Sequence, residues 1–257
     1  ITEYGYQGTP MALDIAAIQS LYGANMSYNT GDDVYVLPDS NIAGTFYSAI
    51  WDAGGIDAIS ALTATDDVII NLNDAPLVGK NAGGYVSAVE DVYGGFTIAN
   101  GVDIEVAVGG SGDDTLVGNE VDNLLYGLGG SDSLYGGSGD DLLNGYGGTS
   151  GEYDILSGDY SYSEPDKEAR LDGADTFVLG DASGAYYLGN GYATITDFYW
   201  AEGDKFEVYG SQSDYSLGFE SWSGGEAIDT LIYYQSDLIG VVQDTTDVIA
   251  SLDFTFV

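Results

Sequence analysis

From Gly109 to Leu156 the chain counts in nines. Glycine opens successive units at Gly109, Gly118, Gly127, Gly136 and Gly145. The sixth places hold Asp114, Asn123, Asp132, Asp141 and, after a four-residue insertion at Thr149–Glu152, Asp154. The eighth places hold Leu116, Leu125, Leu134, Leu143 and Leu156. A further, interrupted unit opens at Gly158 and resumes at Gly173, with Asp175 and Phe177 in the sixth and eighth places. A repeat this short cannot bury its own apolar side chain, so its units must stack on one another. Each unit is predicted to be a glycine turn followed by a short strand whose eighth-place side chain points inward. Two units complete one coil, so each turn meets its own kind eighteen residues later. Asp114 then faces Asp132, Asn123 faces Asp141, and Asp132 stands between Asp114 and Asp154.

Stacked carboxylates repel one another unless a cation lies between them. The whole chain has the same problem, with 42 acidic residues against 4 basic ones and a formal net charge of −38. Calcium suits such a gap, because it is hard, takes 6–8 oxygens and accepts the backbone carbonyls that tight turns can aim at it. Asp114, Asn123, Asp132, Asp141, Asp154 and Asp175 are the candidate side-chain ligands. The turn residues beside them are candidate ligands through the backbone: Gly109, Gly110, Ser111 and Gly112, then Gly127, Gly129 and Gly130, then Gly136, Gly137 and Gly139, then Gly145, Gly147 and Gly148. The alternative, an acidic Gly/Ser-rich linker, gives no reason to hold Leu at five successive eighth places.

The same composition narrows the chemistry. There is no Cys and no His, so disulfides, imidazole bases and the usual zinc sites are not expected in this chain. Nucleic acid and anionic membranes are poor partners for so acidic a surface, and no apolar run is long enough to span a bilayer. Paired carboxylates can act as a glycosidase pair, but in a stacked acidic repeat they read as ligands. The chain opens on Ile with no signal peptide before it, which reads as a piece of a longer polypeptide.

These repeats resemble those of the RTX family of secreted proteins, and other stretches sharpen the likeness. "TPMALDIAAIQSLYGAN" (Thr9–Asn25) resembles the hinge helix that joins the two domains of serralysin-type metalloproteases. Read by itself it is a helix capped by Thr9, with Pro10 in the first turn, Ile15, Ile18 and Tyr22 on one face, and Gly23 as the stop. "TGDDVYVL", "IWDAGGIDAI" and "GVDIEVAVGGSGDDTLVGN" resemble the C-terminal domain of the same family. The resemblance implies further calcium ligands at Asn29, Gly31, Asp33, Asp52, Gly54, Gly55, Asp57, Asp103 and Glu105. Asp33 and Asp103 stand where Thr is common, and Asn29 replaces a frequent Arg whose carbonyl is the ligand. The family's zinc motif is missing from this chain, so the resemblance implies a parent family without a catalytic site here.

Glycine thins out over residues 181–257. Tyr192–Gly210, Asp229–Gln235 and Leu238–Asp244 read as antiparallel strands, with a hairpin around Ser236-Asp237. This segment is the natural cap for an open solenoid end. Asp197 and Asp204 are candidates for another ion. The closing "DFTFV" resembles the C-terminal signal of proteins exported by type I secretion, and it also reads as a last edge strand. The expected fold class is therefore all-β: a calcium-binding parallel β-roll with a short N-terminal hinge helix and an antiparallel C-terminal cap. The expected divisions are 1–25 for helix and linker, 26–108 for the N-terminal part of the roll, 109–180 for the nonapeptides and 181–257 for the cap. The expected function is a calcium-dependent folding, stability and type I secretion module of an extracellular serralysin-like protein. Its partners would be calcium ions, the secretion machinery and an upstream protease domain. The alternative is a structural or adhesive component of the cell surface or matrix.

Overall fold

The structure is a computed structural model, and it describes residues 4–159, 173–222 and 227–257. The segment that interrupts the repeat opening at Gly158 falls outside the described residues, apart from its two ends. The chain winds between two long sheets. The eight-stranded sheet runs in the order Val34–Val36, Ala58–Ser60, Val106–Val108, Leu124–Tyr126, Leu142–Asn144, Thr176–Val178, Lys205–Val208 and Phe254–Phe256, all parallel. The parallel part of the nine-stranded sheet contains Val68–Asn71, Thr115–Val117, Ser133–Tyr135, Glu152–Ser157, Gly191–Ile195 and Asp237–Val242. Each strand within the repeats is three residues long where the nonapeptide is intact. Six residues of turn and three of strand account for the period.

The register is the one the period predicts. Leu125 pairs with Leu143, and Leu134 pairs with Leu116. The insertion at Thr149–Glu152 does not break it, because Leu134 pairs on its other side with Leu156. Glu152 ties the inserted loop down. Its carboxylate accepts the N–H groups of Gly147 and Thr149, each at 3.1 Å, and the Thr149 hydroxyl.

The core lies between the sheets as two rows of inward side chains, one rung per coil. One row is Ile59, Ala107, Leu125, Leu143, Phe177, Phe206 and Phe254; the other is Ile70, Leu116, Leu134, Leu156, Ile195 and Val242. All are fully buried except Phe254, which is 7% exposed. Truncating one such Leu to Ala would cost about 2–5 kcal/mol, because its neighbours above and below cannot collapse into the gap. Flanking strands without the nonapeptide join the same rows, because the inward residue is what stacking requires.

Several local expectations change. The helix spans Ala12–Tyr22 and its cap is Met11, whose N–H donates to Asp14 Oδ2 at 3.1 Å. Thr9 instead donates its hydroxyl to the Pro10 carbonyl, since Pro10 and Met11 precede the first helical residue. Gly23 does end the helix, in left-handed backbone with φ +83° and its N–H on Gln19. Ile15 packs toward the core, whereas Ile18 and Tyr22 are exposed. The stretch Tyr192–Gly210 is parallel to its neighbours, because Gly191–Ile195 and Lys205–Val208 extend the two rows of the roll. Among the described residues of this region, antiparallel pairing is confined to Gly180–Asp181 with Gly184–Ala185 and to Tyr215–Glu220, Asp229–Tyr234 and Asp237–Val242. The hairpin turn is Gln235-Ser236, one residue earlier than expected, with Gln235 at φ +55°. Val117 and Ser157, the ninth-place residues that follow the inward Leu116 and Leu156, are also buried. On the eight-stranded sheet the outward row Val34, Ala58, Val106, Leu124 and Leu142 is apolar, and Leu124 remains 38% exposed. No helix among the described residues is long and apolar enough to cross a membrane.

Candidate metal centre

The turns of the roll form two edges, and along each edge the sixth-place acids make a ladder. Each Oδ1 accepts the backbone N–H of the residue in register with it one coil earlier, which within the repeats is the sixth-place residue. On one edge Asp114 receives Val68, Asp132 receives Asp114, and Asp154 receives Asp132, each at 2.8 Å. On the other edge Asp141 receives Asn123 at 2.7 Å, and Asp175 receives Asp141 at 3.0 Å. Asp204 extends this edge by receiving Asp175 at 3.0 Å. A carboxylate at the sixth place is thus used twice: one oxygen fixes the coil spacing, and the other is left to point into the turn.

The fate of that second oxygen differs from rung to rung. For Asp132, Asp141 and Asp175 it is buried and has no hydrogen-bond partner among the described residues. It lies in a cradle that only a first-place glycine leaves open. A Cβ added to Gly127 would sit 2.3 Å from Asp132 Oδ2, one on Gly136 would sit 2.1 Å from Asp141 Oδ2, and one on Gly158 would sit 1.8 Å from Asp175 Oδ2. Gly109 and Gly145 form the same cradle over Asp114 and Asp154. Burial, opposed by the backbone N–H bonds and reinforced by neighbouring carboxylates, pushes Asp132 up to about 8, Asp141 to about 9 and Asp175 to about 8. Without a counter-charge these groups resist ionisation, whereas a hard divalent cation favours the ionised form.

The other turn residues are placed as follows. Gly110 N–H closes on Asp114 Oδ2 at 2.5 Å. A Cβ on Gly130 would lie 2.0 Å from the Gly112 carbonyl, one on Gly137 2.2 Å from the Asn119 carbonyl, and one on Gly147 2.0 Å from the Leu128 carbonyl. These glycines therefore let consecutive turns approach carbonyl to backbone. Gly139 packs on Val121 and Asp122, Gly129 sits beside Ser111, and Gly148 faces open space. Asn123 differs from its acidic equivalents. Its Oδ1 accepts Asn119 N–H at 2.8 Å, and its amide donates to the carbonyls of Ile104 and Glu105 at 3.4 and 3.3 Å.

A second cluster precedes the nonapeptides. Asp33, Asp52 and Asp57 bring carboxylate oxygens within 4.8 Å of one another. Asp57 accepts Asp33 N–H at 2.8 Å, and its own N–H donates to Glu105 Oε2 at 2.8 Å, which joins this cluster to the ladder. Asp57 Oδ2 is buried without a partner, and burial first, then the neighbouring carboxylates, push the group up to about 6. Gly55 has to be glycine, because its Cβ would lie 2.2 Å from the Gly31 carbonyl. Gly54 N–H caps Asp52, and the Asn29 carbonyl accepts Ala53 N–H at 3.0 Å. Tyr35 bridges Asn29 Nδ2 and Asp52 Oδ2. Asp103 is exposed in the loop before Glu105.

Asp197 and Asp204 have both oxygens engaged by the chain. Asp197 accepts Ser157 Oγ at 2.6 Å and the N–H groups of Gly158 and Asp159. Asp204 accepts Tyr199 N–H at 2.7 Å with its second oxygen. A third set was missed in the sequence. Fifth-place acids form a counter-running ladder, in which Ser131 donates to Asp113, Asp140 to Asp122 and Ala174 to Asp140, at 2.7 to 2.9 Å. The signal was available, since Asp113, Asp122 and Asp140 recur at that place.

The fold and its edges define a class: a parallel β-roll whose turns carry buried, incompletely partnered carboxylates. Within that class, the chain belongs to the Peptidase M10 serralysin C-terminal family, whose model matches residues 12–238. It is 44% identical over 122 residues to Serralysin C of Dickeya chrysanthemi, a match covering 44% of this chain and 23% of that protein. It is 41% identical over 130 residues to Metalloprotease AprA of Pseudomonas entomophila (strain L48), covering 47% of this chain and 25% of the relative. It is 39% identical over 130 residues to the serralysin of Photorhabdus luminescens, with the same shares. The chain thus spans about a quarter of the length of these relatives.

Proposed function

We propose that this chain is a calcium-dependent folding and stability module of an extracellular, serralysin-like protein, and that it carries no catalytic site of its own. The observation that carries the reading is that buried carboxylate oxygens of Asp57, Asp132, Asp141 and Asp175 have no hydrogen-bond partner among the described residues. A protein interior tolerates an unpaired buried carboxylate only at a cost of several kcal/mol. An array of them in glycine cradles, in a chain of net charge −38, is explained by divalent cations that complete the fold. Asp132, Asp141 and Asp175, with Asp114 and Asp154 beside them and the turn carbonyls around them, would hold ions along the edges. Asp33, Asp52, Asp57 and Glu105, with backbone from Asn29 to Gly31, would hold one at the N-terminal end.

The individual rungs test the assignment. Asp132→Ala is expected to weaken calcium binding more than Asn123→Ala. Asp132 offers an unpartnered charged oxygen between two acidic rungs, whereas Asn123 already satisfies its amide on the preceding coil. A difference of at least about tenfold in half-saturating calcium is expected, the scale of one charge-assisted contact. Equal losses in calcium titrations would count against the assignment.

Export by a type I machinery, in the unfolded state and before external calcium is met, belongs to the same reading. Phe254–Phe256 is also the last strand of the eight-stranded sheet, with the Phe254 ring 5.6 Å from that of Phe206. Deleting Asp253–Val257 is therefore expected to lower stability in calcium by about 3–6 kcal/mol through lost aromatic burial. It is also expected to abolish appearance of the chain in the medium of a host carrying a type I exporter. Undiminished secretion would remove the export part of the proposal, and an unchanged melting temperature would remove the strand's structural role. A structural or adhesive surface protein is the second reading, favoured by the exposed apolar row through Val34 and Leu124. A zinc-ligand motif in flanking sequence would decide for the protease parent.

A further inference from the structure

We propose that the hydroxyl of Tyr187 stands in for a cation at the last rung of one edge, closing on Asp154 the position that divalent ions close on Asp132, Asp141 and Asp175. The inference rests on the calcium reading above. Asp154 has everything that makes Asp132 a candidate ligand. It is fully buried, its Oδ1 accepts the N–H of the preceding rung at 2.8 Å, and its Oδ2 lies in a glycine cradle, 2.4 Å from where a Cβ on Gly145 would sit. The corresponding distance for Asp132 and Gly127 is 2.3 Å. One thing separates them. Asp132 Oδ2 has no partner, whereas Asp154 Oδ2 accepts the Tyr187 hydroxyl at 2.5 Å.

The register gives the reason for the exchange. Asp114, Asp132 and Asp154 follow one another at the sixth place, but the next residue in line, paired with Asp154 on the neighbouring strand, is Ala193. The edge has run out of acids. A divalent ion beyond Asp154 would find one carboxylate where the inner rungs supply two. A neutral O–H donor satisfies a single oxygen without adding charge. The chain accepts strain to put it there. Tyr187 is 1% exposed and lies at φ +59°, a left-handed conformation that disfavours a bulky side chain. Its ring is held 5.0 Å from that of Tyr146, in the turn that Asp154 closes. The opposite edge ends in a related way. Lys205, one of 4 basic residues in the chain, places Nζ 3.0 Å from the Asp204 carbonyl and 3.8 Å from Asp253 Oδ1. Side chains thus terminate what cations support in the middle, and the roll can end without a half-built ion site.

The test is to count ions. Wild-type chain and Tyr187→Phe are compared by equilibrium dialysis against calcium, with thermal unfolding followed across a calcium series. With Asp154 Oδ2 left bare, the variant is expected to bind one more ion per chain than the wild type, and to hold it more weakly than the inner rungs because only one carboxylate faces it. Its half-saturating calcium for folding should rise about tenfold, and its deficit in melting temperature should shrink as calcium increases. Equal stoichiometry, with a deficit independent of calcium, would overturn the proposal and leave Tyr187 an ordinary buried hydrogen bond. If Tyr187→Phe does not fold at any calcium concentration, Asp154→Asn is added to it. Recovery of calcium-dependent folding supports the stand-in role, because the orphaned charge is gone, and failure to recover overturns it. A wild-type chain that binds no calcium would instead sink the calcium reading itself, a result distinct from either.

Discussion

Stripped of divalent cations at pH 8, the chain is expected to lose most of its β-sheet circular dichroism and to regain it in millimolar calcium. Two effects act together. The formal net charge of −38 opposes any compact state. The buried oxygens of Asp57, Asp132, Asp141 and Asp175 add a local penalty that no side chain among the described residues relieves. Binding offsets both. A site at a hundredfold excess of ligand over Kd contributes about 2.7 kcal/mol to folding, so three or four sites match the whole stability of an ordinary domain, about 5–15 kcal/mol. The transition with calcium should be steep, because neighbouring sites share Asp132 and the coils fold onto one another. Magnesium should be a poor substitute, since it keeps its waters and demands a tighter octahedral shell. A chelator-treated chain with the same spectrum and melting temperature as the calcium-loaded one would refute the expectation.

In the absence of calcium, acid should do part of what the cation does. Asp132, Asp141 and Asp175 rise to about 8, about 9 and about 8, with burial as the leading cause. In the unfolded chain the same groups titrate at about 4. Folded-state values raised above unfolded ones mean that the folded chain holds more protons between pH 4 and 9. Stability is then fully present near pH 4 and is lost as pH rises through 8 to 9. A tenfold difference in proton affinity between the folded and unfolded chain is worth about 1.4 kcal/mol. Several such groups acting together make the calcium-free fold lose stability as pH rises through the window, on the scale of the roughly 5–15 kcal/mol by which an ordinary domain is stable. The calcium-free chain is expected to be compact near pH 5 and unfolded near pH 8 to 9. Calcium binding at neutral pH should release protons, and saturating calcium should flatten the pH dependence. Tryptophan fluorescence and circular dichroism of calcium-free chain from pH 4.5 to 9 check this. A stability that holds constant or rises with pH would contradict the placement of these carboxylates.

Much of this was legible in the residues. The period of nine, with Leu at the eighth place, determined the strand length, the inward row and the pairing of Leu125 with Leu143. In a solenoid the long-range contact is a fixed offset along the chain, so a one-dimensional pattern carries three-dimensional register. For the same reason Asp132 could be placed between Asp114 and Asp154, as the backbone bonds along that edge have it. Outside the repeat the offset is lost. The parallel placement of Gly191–Ile195 and Lys205–Val208 had no periodic mark and read as antiparallel from composition.

That the chain is a parallel roll, where its coils repeat, and which acids stand in line can all be read from the residues, because each follows from local spacing and the need to bury one Leu per unit. Which of those acids remain unsatisfied follows from packing between distant segments. Asn123 turns its amide onto the preceding coil, Asp197 and Asp204 are consumed by backbone N–H groups, and Tyr187 reaches Asp154 from 33 residues away, while Asp132, Asp141 and Asp175 keep a bare oxygen. The physical reason is that hydrogen-bond satisfaction depends on which donors packing brings within about 3 Å, and for these groups the donors come from turns and insertions that follow no period.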